Sequence, residues 1–338
     1  MSVTAKKLAE TLGLSEAAVS MALNNKPGVS TATRQRVLTA AKEQGYDFSR
    51  LNEAESVSRS MKGTLYFIIY RKHGAVVADT PFFSELSQGI DSGCKKHHYY
   101  LNVFYLDEDE NTRERLQSMI HFDCRGILLL GTEMQAGDLE PFLRLKLPLV
   151  ILDTYFETLA ADYVLINNMQ GAYLATDYLI NHCKSQPGYL RSSYSINNFQ
   201  ERADGFYKAV RSHGLPTSRS VVHLLSPSLE GAYADMLEIL RAGEETASCY
   251  FADNDLIACG AIKALREYGF RIPQDISVIG FDNLPVSSYA EPSLTTIHVP
   301  KQDMGEAAVR RLAHITENPK EAPVKLEIST QLVKRKSV

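Results

Sequence analysis

The stretch VTAKKLAETLGLSEAAVSMAL, residues 3–23, decides how the beginning of this chain folds. Leu8, Ala9 and Leu12 form an apolar stripe behind Thr4, whose hydroxyl can cap the helix that Ala5, Lys6 and Lys7 open. Gly13 stops that helix, because a residue without a Cβ suits the turn at a helix end. Ser15 can then cap a second helix, Glu16 to Leu23, with Val19, Ala22 and Leu23 turned inward. Ala9, Gly13 and Val19 supply a small residue where two helices touch, a turn between them, and a β-branched plug that holds the second across the first. Ser30 caps a third helix, Thr31 to Gln44, whose Val37, Leu38 and Ala41 close the core before Gly45 ends it. The reading is an all-α, three-helix unit of helix-turn-helix type over residues 1–45.

Two further segments, VSMALN at 19–24 and NNKPGVSTATRQRV at 24–37, closely resemble the N-terminal domain of the lac-repressor (LacI/GalR) family of bacterial transcription regulators. The resemblance implies that the second helix enters the major groove of operator DNA, reads base edges with its first turn and holds phosphates with short polar side chains. The reading positions here are Ser15, Glu16, Ala17, Ser20 and Met21, and the phosphate contacts are Thr4, Ser20, Asn24 and Ser30. Glu16 can accept from a cytosine amino group, and Ala17 can offer only an apolar contact. Met21 stands where most of the family carries an arginine, which implies a different half-site.

Residues 46–62, YDFSRLNEAESVSRSMK, are polar, lack a core-forming stripe and read as an interdomain linker. In the family this stretch becomes a hinge helix whose leucine wedges into the minor groove. Here Glu55 and Ser56 stand at the wedge spacing, and Val57 is the nearest apolar candidate. Residues 1–62 carry nine basic and six acidic side chains, a balance of +3, while the whole chain is −4 and the remainder therefore −7. Phosphate contacts are thus expected of the small N-terminal part, and two such heads in a dimer would add theirs.

From Thr64 onward, apolar runs alternate with helix-length amphipathic segments. The runs are TLYFIIY at 64–70, YLNVFYL at 100–106, GILLLG at 126–131, LVILD at 149–153, YVLIN at 163–167, GYLRSS at 188–193, VVHLL at 221–225, SCYFAD at 248–253 and ISVIGFD at 276–282. Continuous apolar strands between helices mean parallel sheets covered on both faces, and residues 63–338 are too many for one core. The expected fold is therefore multidomain, a helix-turn-helix head followed by a two-lobed α/β domain with parallel sheets. Ligands bind beyond the carboxyl ends of such strands, which nominates Arg71, Glu133, Asp153, Asn168, Ser193, Asp253, Asn254 and Asp282. Helix capping is the ordinary alternative for each of them.

FADNDLIACG at 251–260, IPQDISVIGFDN at 272–283 and PSLTTIHVP at 292–300 resemble the periplasmic-binding-protein-like receptor domain of the same family. Carried onto matching positions, the resemblance implies Arg202, Asn254, Asp282 and Asp153 as polar grips on an effector, Phe82 as an apolar platform and Asn198 beside them. Such a set suits a sugar or sugar derivative and would also hold a purine. Asp255 is expected to cap the following helix. The resemblance further implies a first lobe of about 63–156 plus 294–322, a second of about 157–293 plus 323–338, and three crossovers. It also implies a homodimer in which effector and operator affinity are reciprocally coupled. Residues 183–199 depart from the commoner family form and border the expected pocket.

No charged-then-apolar leader or membrane-length apolar run is found, so the expected compartment is the cytoplasm. Cys94, Cys124, Cys183, Cys249 and Cys259 lack metal spacing and read as buried reduced thiols. His97-His98 reads as a solvated helix end, and neither a metal nor a cofactor is expected. Nucleotide-loop, zinc-protease and nucleophile-elbow motifs are missing, which argues against an enzyme. The alternatives are a regulator controlled by a protein partner and a solute-binding protein whose head has lost its activity.

Overall fold

A computed structural model describes residues 4–23, 28–46, 61–77, 81–108, 112–120 and 123–338; Asn24 and Val57 lie outside the described residues. The chain divides into two compact units, Met1–Lys62 and Gly63–Val338.

In the first unit, α1 (Ala5–Leu12) is capped by Thr4, whose Oγ1 accepts from the Lys7 amide at 3.4 Å. Gly13 ends it at φ +64. Ser15 Oγ accepts from Ala18 N–H at 3.2 Å at the start of α2 (Glu16–Leu23), and Ser30 Oγ accepts from Thr33 N–H at 3.1 Å at the start of α3 (Thr31–Glu43). Leu8, Ala9, Val19, Ala22, Leu23, Val37, Ala40 and Ala41 form the buried core, with Leu12 and Leu38 packed half-buried against it. Each aliphatic side chain fully removed from water contributes about 1.5–3 kcal/mol. The third helix stops at Glu43 with Gln44 as its cap, one residue short of the expected end at Gln44.

The second unit opens with β1 (Thr64–Arg71), α4 (Pro81–His97), β2 (Tyr100–Asp107), α5 (Thr112–Met119), β3 (Cys124–Leu130), α6 (Glu140–Leu143), β4 (Leu149–Leu152) and β5 (Asp162–Ile166). The chain then builds α7 (Asn168–Cys183), β6 (Gly188–Ser192), α8 (Asn197–Ser212), β7 (Val222–Leu225), α9 (Leu229–Arg241), β8 (Cys249–Ala252), α10 (Asp255–Glu267), β9 (Ser277–Asp282), α11 (Pro285–Tyr289) and β10 (Thr295–His298). It finishes with α12 (Lys301–Glu317), β11 (Lys325–Ile328) and β12 (Gln331–Val333).

Two sheets result, ordered β11-β5-β4-β3-β1-β2 and β12-β10-β9-β8-β6-β7. Every pairing is parallel except β10 with β12. α12 packs against α4, and a Cβ on Gly305 would come within 2.6 Å of the Leu86 carbonyl oxygen, so glycine is what lets the two helices approach.

The crossovers fall later than the expected lobe boundaries. β5 belongs to the first sheet, pairing Leu152 with Val164, so the chain changes lobe after Ile166 and not after residue 156. β10 belongs to the second sheet, pairing Thr295 with Ile279, and the return comes after His298 and not at residue 294. β11 pairs with β5 in the first sheet, which delays the last crossover from residue 323 to beyond Ile328. The reason is register: each apolar run completes its ladder with the neighbouring strand before the backbone is free to leave the sheet. No helix among the described residues is long and apolar enough to cross a membrane.

Candidate functional site

A cavity of about 110 Å³ lies between the lobes at the carboxyl ends of the strands, and Phe82, Asp153, Asn198, Arg202, Asn254 and Asp282 all line it. Asp153 follows β4, Asp282 ends β9, and Asn254 caps α10 by accepting from Ile257 N–H at 2.8 Å. Asn198 and Arg202 are four residues apart on α8, hence on one helix face, and both are buried. Asp153 and Asp282 sit at φ +66 and φ +102. Such backbone costs about 1–3 kcal/mol outside glycine and collects at functional sites.

Arg202 is held on three sides by the protein. Its Nε donates to Asn168 Oδ1 at 2.9 Å, Nη1 donates to the Asp253 carbonyl, and Nη2 meets Asp282 Oδ1 at 3.2 Å. The guanidinium lies 3.8 Å from the centre of the Phe281 ring and 5.5 Å from that of Phe199. Asn168 in turn donates to Asn198 Oδ1 at 3.1 Å and to Glu201 at 2.9 Å. The result is a connected polar network with an aromatic floor.

Asp153 behaves differently from Asp282. Thr132 donates to its Oδ2 at 2.6 Å, whereas Oδ1 is buried without a hydrogen-bond partner. Burial pushes this acid up to about 6, against the opposing pull of Thr132, the nearby Asn198 amide and the Arg202 charge. Asp253, fully buried, is also raised to about 6 by burial; it accepts from the Tyr189 hydroxyl and, at 2.7 Å, from Ser192 N–H.

Glu133 shapes the near wall. It accepts backbone N–H bonds from Lys72, His73, Gly74, Val76 and Val77 at 2.8–2.9 Å, and so organises the loop that brings Ala75 and Val76 to the cavity. Burial pushes its carboxyl upward, but the five donors together outweigh that and hold it below its ordinary value. From the opposite lobe, Asn197 Nδ2 donates to Thr154 Oγ1 at 2.9 Å and to the Tyr155 carbonyl at 2.8 Å.

Of the strand-end nominees, Arg71 is turned to Asp107 at 2.7 Å, and neither it nor Ser193 lines the cavity. Asp255 does not cap α10; Asn254 does. The Asp255 carboxylate instead takes Leu284 N–H at 2.7 Å and the Thr296 hydroxyl, a structural tie between α10, β9 and β10. Burial, with the charge of Asp282 behind it, raises Asp255 to about 8. Thr132, Asn168 and the Phe281 floor were not selected from sequence as site residues, although the strand-end rule had pointed at Asn168. Ile196, Asn198 and Phe199, from the segment that departs from the commoner pattern, are lining residues.

On α2, Ser15, Glu16, Ala17 and Ser20 are exposed and Met21 is half-buried; Thr4 and Ser30 are exposed as well. Met21 lies over Gly28, where a Cβ would come within 2.8 Å of its sulfur. The exposed first turn of α2 is a surface of the kind that can meet base edges.

A helix-turn-helix unit in one chain with a two-lobed α/β domain that carries a largely apolar cavity with a few convergent polar side chains between its lobes is the make-up of ligand-responsive transcriptional regulators. Residues 4–48 match the lacI family of bacterial regulatory proteins, and residues 176–338 match the periplasmic binding protein-like domain. The chain is 31% identical over 339 residues to the HTH-type transcriptional repressor PurR of Pasteurella multocida (strain Pm70), covering 99% of this chain and 98% of that one. It is 30% identical over 339 residues, with the same coverage, to the ribose operon repressor of Haemophilus influenzae (strain ATCC 51907 / DSM 11121 / KW20 / Rd). The chain belongs to the LacI family of transcriptional regulators and is not an enzyme. The lac repressor dimer bound to operator and the anti-inducer ONPF has the same fold, at TM-score 0.71 and 22% identity over 100% of this chain and 99% of that one.

Proposed function

We propose that this protein is a repressor whose hold on operator DNA is set by an uncharged, polyhydroxylated effector, a sugar or sugar derivative, gripped by Phe82, Asp153, Asn198, Arg202, Asn254 and Asp282. The observation that carries this reading is that these six residues, scattered over 200 positions of sequence, line one cavity. Asp153 Oδ1 is an acceptor waiting for a donor, which a ligand hydroxyl supplies. Asn254 Oδ1 is committed to its helix, so the amide N–H groups are what it offers. Phe82, Phe83 and Phe199 give the apolar faces that suit sugar C–H groups.

The electrostatics favour a neutral effector over a phosphorylated one. Arg202 is the one Lys or Arg among the described lining residues, and three of its five N–H donors already serve Asn168, Asp253 and Asp282. A dianionic phosphate would meet two carboxylates, Asp153 and Asp282, and a single cation already paired with one of them.

A ligand that bridges Asp153 of the first lobe and Asn254 and Asp282 of the second changes the lobes' closure equilibrium. In a homodimer, as in the lac repressor dimer structure, closure would act through residues 46–62, with Val57 as a weak minor-groove wedge, on heads that use Thr4, Ser15, Glu16, Ala17, Ser20, Met21, Asn24 and Ser30. Each sheet leaves apolar side chains exposed at the edge far from the crossovers, Tyr100, Val103 and Tyr105 on β2 and Val222 and Leu224 on β7, which supports an association surface. The compartment that follows from operator binding is the cytoplasm.

Thermal denaturation of the full chain against neutral sugars, sugar phosphates and nucleobases tests the effector class. A rise in melting temperature with a neutral sugar supports it. A rise with a purine alone replaces it, as does a response confined to phosphorylated sugars.

A further inference from the structure

A second cavity, of about 620 Å³, lies where the chain first passes from one lobe to the other. Its walls come from both lobes: Tyr155 and Lys325 stand on the first, Met169 of α7 and Glu201 and Lys208 of α8 on the second. Ile166 lines this cavity and the effector cavity alike. Asn168 ties the two together. Its side-chain amide donates at 2.9 Å to Glu201 Oε2 on this side and at 3.1 Å to Asn198 Oδ1 on the other, while its Oδ1 accepts from Arg202 Nε at 2.9 Å.

The charges of this cavity are unevenly matched. Lys325 Nζ lies 3.7 Å from Glu327 Oε1 and 3.4 Å from the centre of the Tyr155 ring, so that cation is engaged. Glu201 has the neutral Asn168 amide as its hydrogen-bond donor, and burial pushes its carboxyl above the ordinary value, against Asn168 and the Lys325 charge. Lys208 is exposed at the rim, about 10 Å further along α8, and forms no ion pair among the described residues. We propose that this cavity is a second ligand site that takes an L-α-amino acid as its zwitterion, the ammonium on Glu201, the carboxylate toward Lys208 and an apolar side chain against Met169 and Leu174. A simple cation would leave Lys208 unanswered, and a simple anion would meet Glu201 and Glu327. The lining holds two glutamates and two lysines, so a ligand of zero net charge keeps the balance. An ammonium beside Glu201 also restores the ionised form that burial disfavours.

A ligand that touches walls of both lobes favours the closure angle at which it touches them together. Asn168 carries the effect onward, since the same amide group holds Glu201, Asn198 and Arg202. Amino-acid binding here does not depend on the identity of the effector; its coupling to the effector rests on the reading of the first cavity given above.

The experiment is thermal denaturation of the full chain with each protein L-amino acid in turn at millimolar concentration, and at least one should raise the melting temperature. Calorimetric titration then compares that amino acid with its N-acetyl derivative, which lacks the ammonium, and its amide, which lacks the carboxylate. The first should bind about tenfold or more weaker and the second about threefold weaker, and neither comparison requires a variant to fold. Glu201→Gln, whose amide oxygen can still accept from Asn168, should weaken binding about tenfold, and Lys208→Met about threefold. No rise with any amino acid, equal affinity for the N-acetyl derivative, or unchanged affinity in both variants overturns the proposal. Neutral sugars are titrated separately, so a missing sugar response counts against the effector reading and not against this site.

Discussion

Arg202 Nη2 lies 3.2 Å from Asp282 Oδ1, and this pair joins the middle of α8 to the end of β9 across the floor of the cavity. Both side chains are largely removed from solvent, so the pair is held by fixed geometry more than by long-range attraction. It positions Asp282 for a ligand while satisfying the arginine without one.

Arg202→Ala should therefore strand Asn168 and Asp282 and destabilise the second unit by about 3–5 kcal/mol, read as a lower melting temperature. At temperatures where the variant is folded, the effector response should be lost while basal operator binding persists. Asp282→Ala should lose the same response, and loss of DNA binding in both folded variants would remove them from the effector site.

Effector affinity should rise as pH increases through about 6, because a ligand hydroxyl donates to the ionised form of Asp153. The folded chain holds this proton more tightly than the unfolded one, so its contribution makes stability fall by about 3 kcal/mol between roughly pH 4 and pH 6. Asp153→Asn should abolish the affinity change and flatten that part of the stability curve. Calorimetric titration across the range checks the first, and denaturant melts the second.

Glu133→Ala removes the acceptor of five backbone N–H groups. Residues 72–77 should exchange their amide hydrogens faster by about tenfold or more while the sheet strands keep their protection. Effector affinity should fall with it, since Ala75 and Val76 line the cavity. Unchanged exchange in 72–77 would show that the loop holds itself.

Met21→Arg should shift base preference at one operator position by about 1–3 kcal/mol, measured by selection on randomised operators. An arginine there must leave the surface over Gly28 on which Met21 rests. Unchanged preference would mean that position 21 does not face the bases.

Leu224→Asp or Tyr105→Asp should weaken self-association, read by sedimentation at micromolar concentration, and reduce operator affinity with it. Both side chains are at least half-exposed in the single chain, so each substitution should leave the fold intact. Unaltered association in both variants would move the dimer surface elsewhere.

The parts of the fold written locally were readable. The caps Thr4, Ser15 and Ser30, the stop at Gly13 and the apolar stripes predict the three helices of the head, because a hydroxyl and the amide three residues later need nothing else to meet. The alternating strands and helices of the second unit were equally plain, since strands buried on both faces must be apolar throughout. The short final strands were less so: Lys325–Ile328 and Gln331–Val333 carry too few apolar residues to stand out, and they exist because partners await them.

By itself the sequence determined the element types, which rest on local periodicity, while the class of the chain and the six side chains of the cavity were legible through its resemblance to the LacI/GalR family. Tertiary structure alone decided which lobe each crossover strand joins, that Asn254 and not Asp255 caps α10, and that Arg202 is already engaged while one carboxylate oxygen of Asp153, Oδ1, has no partner. Pairing and burial are relations between residues far apart in the chain, and both depend on how completed ladders and packed helices bring those residues together.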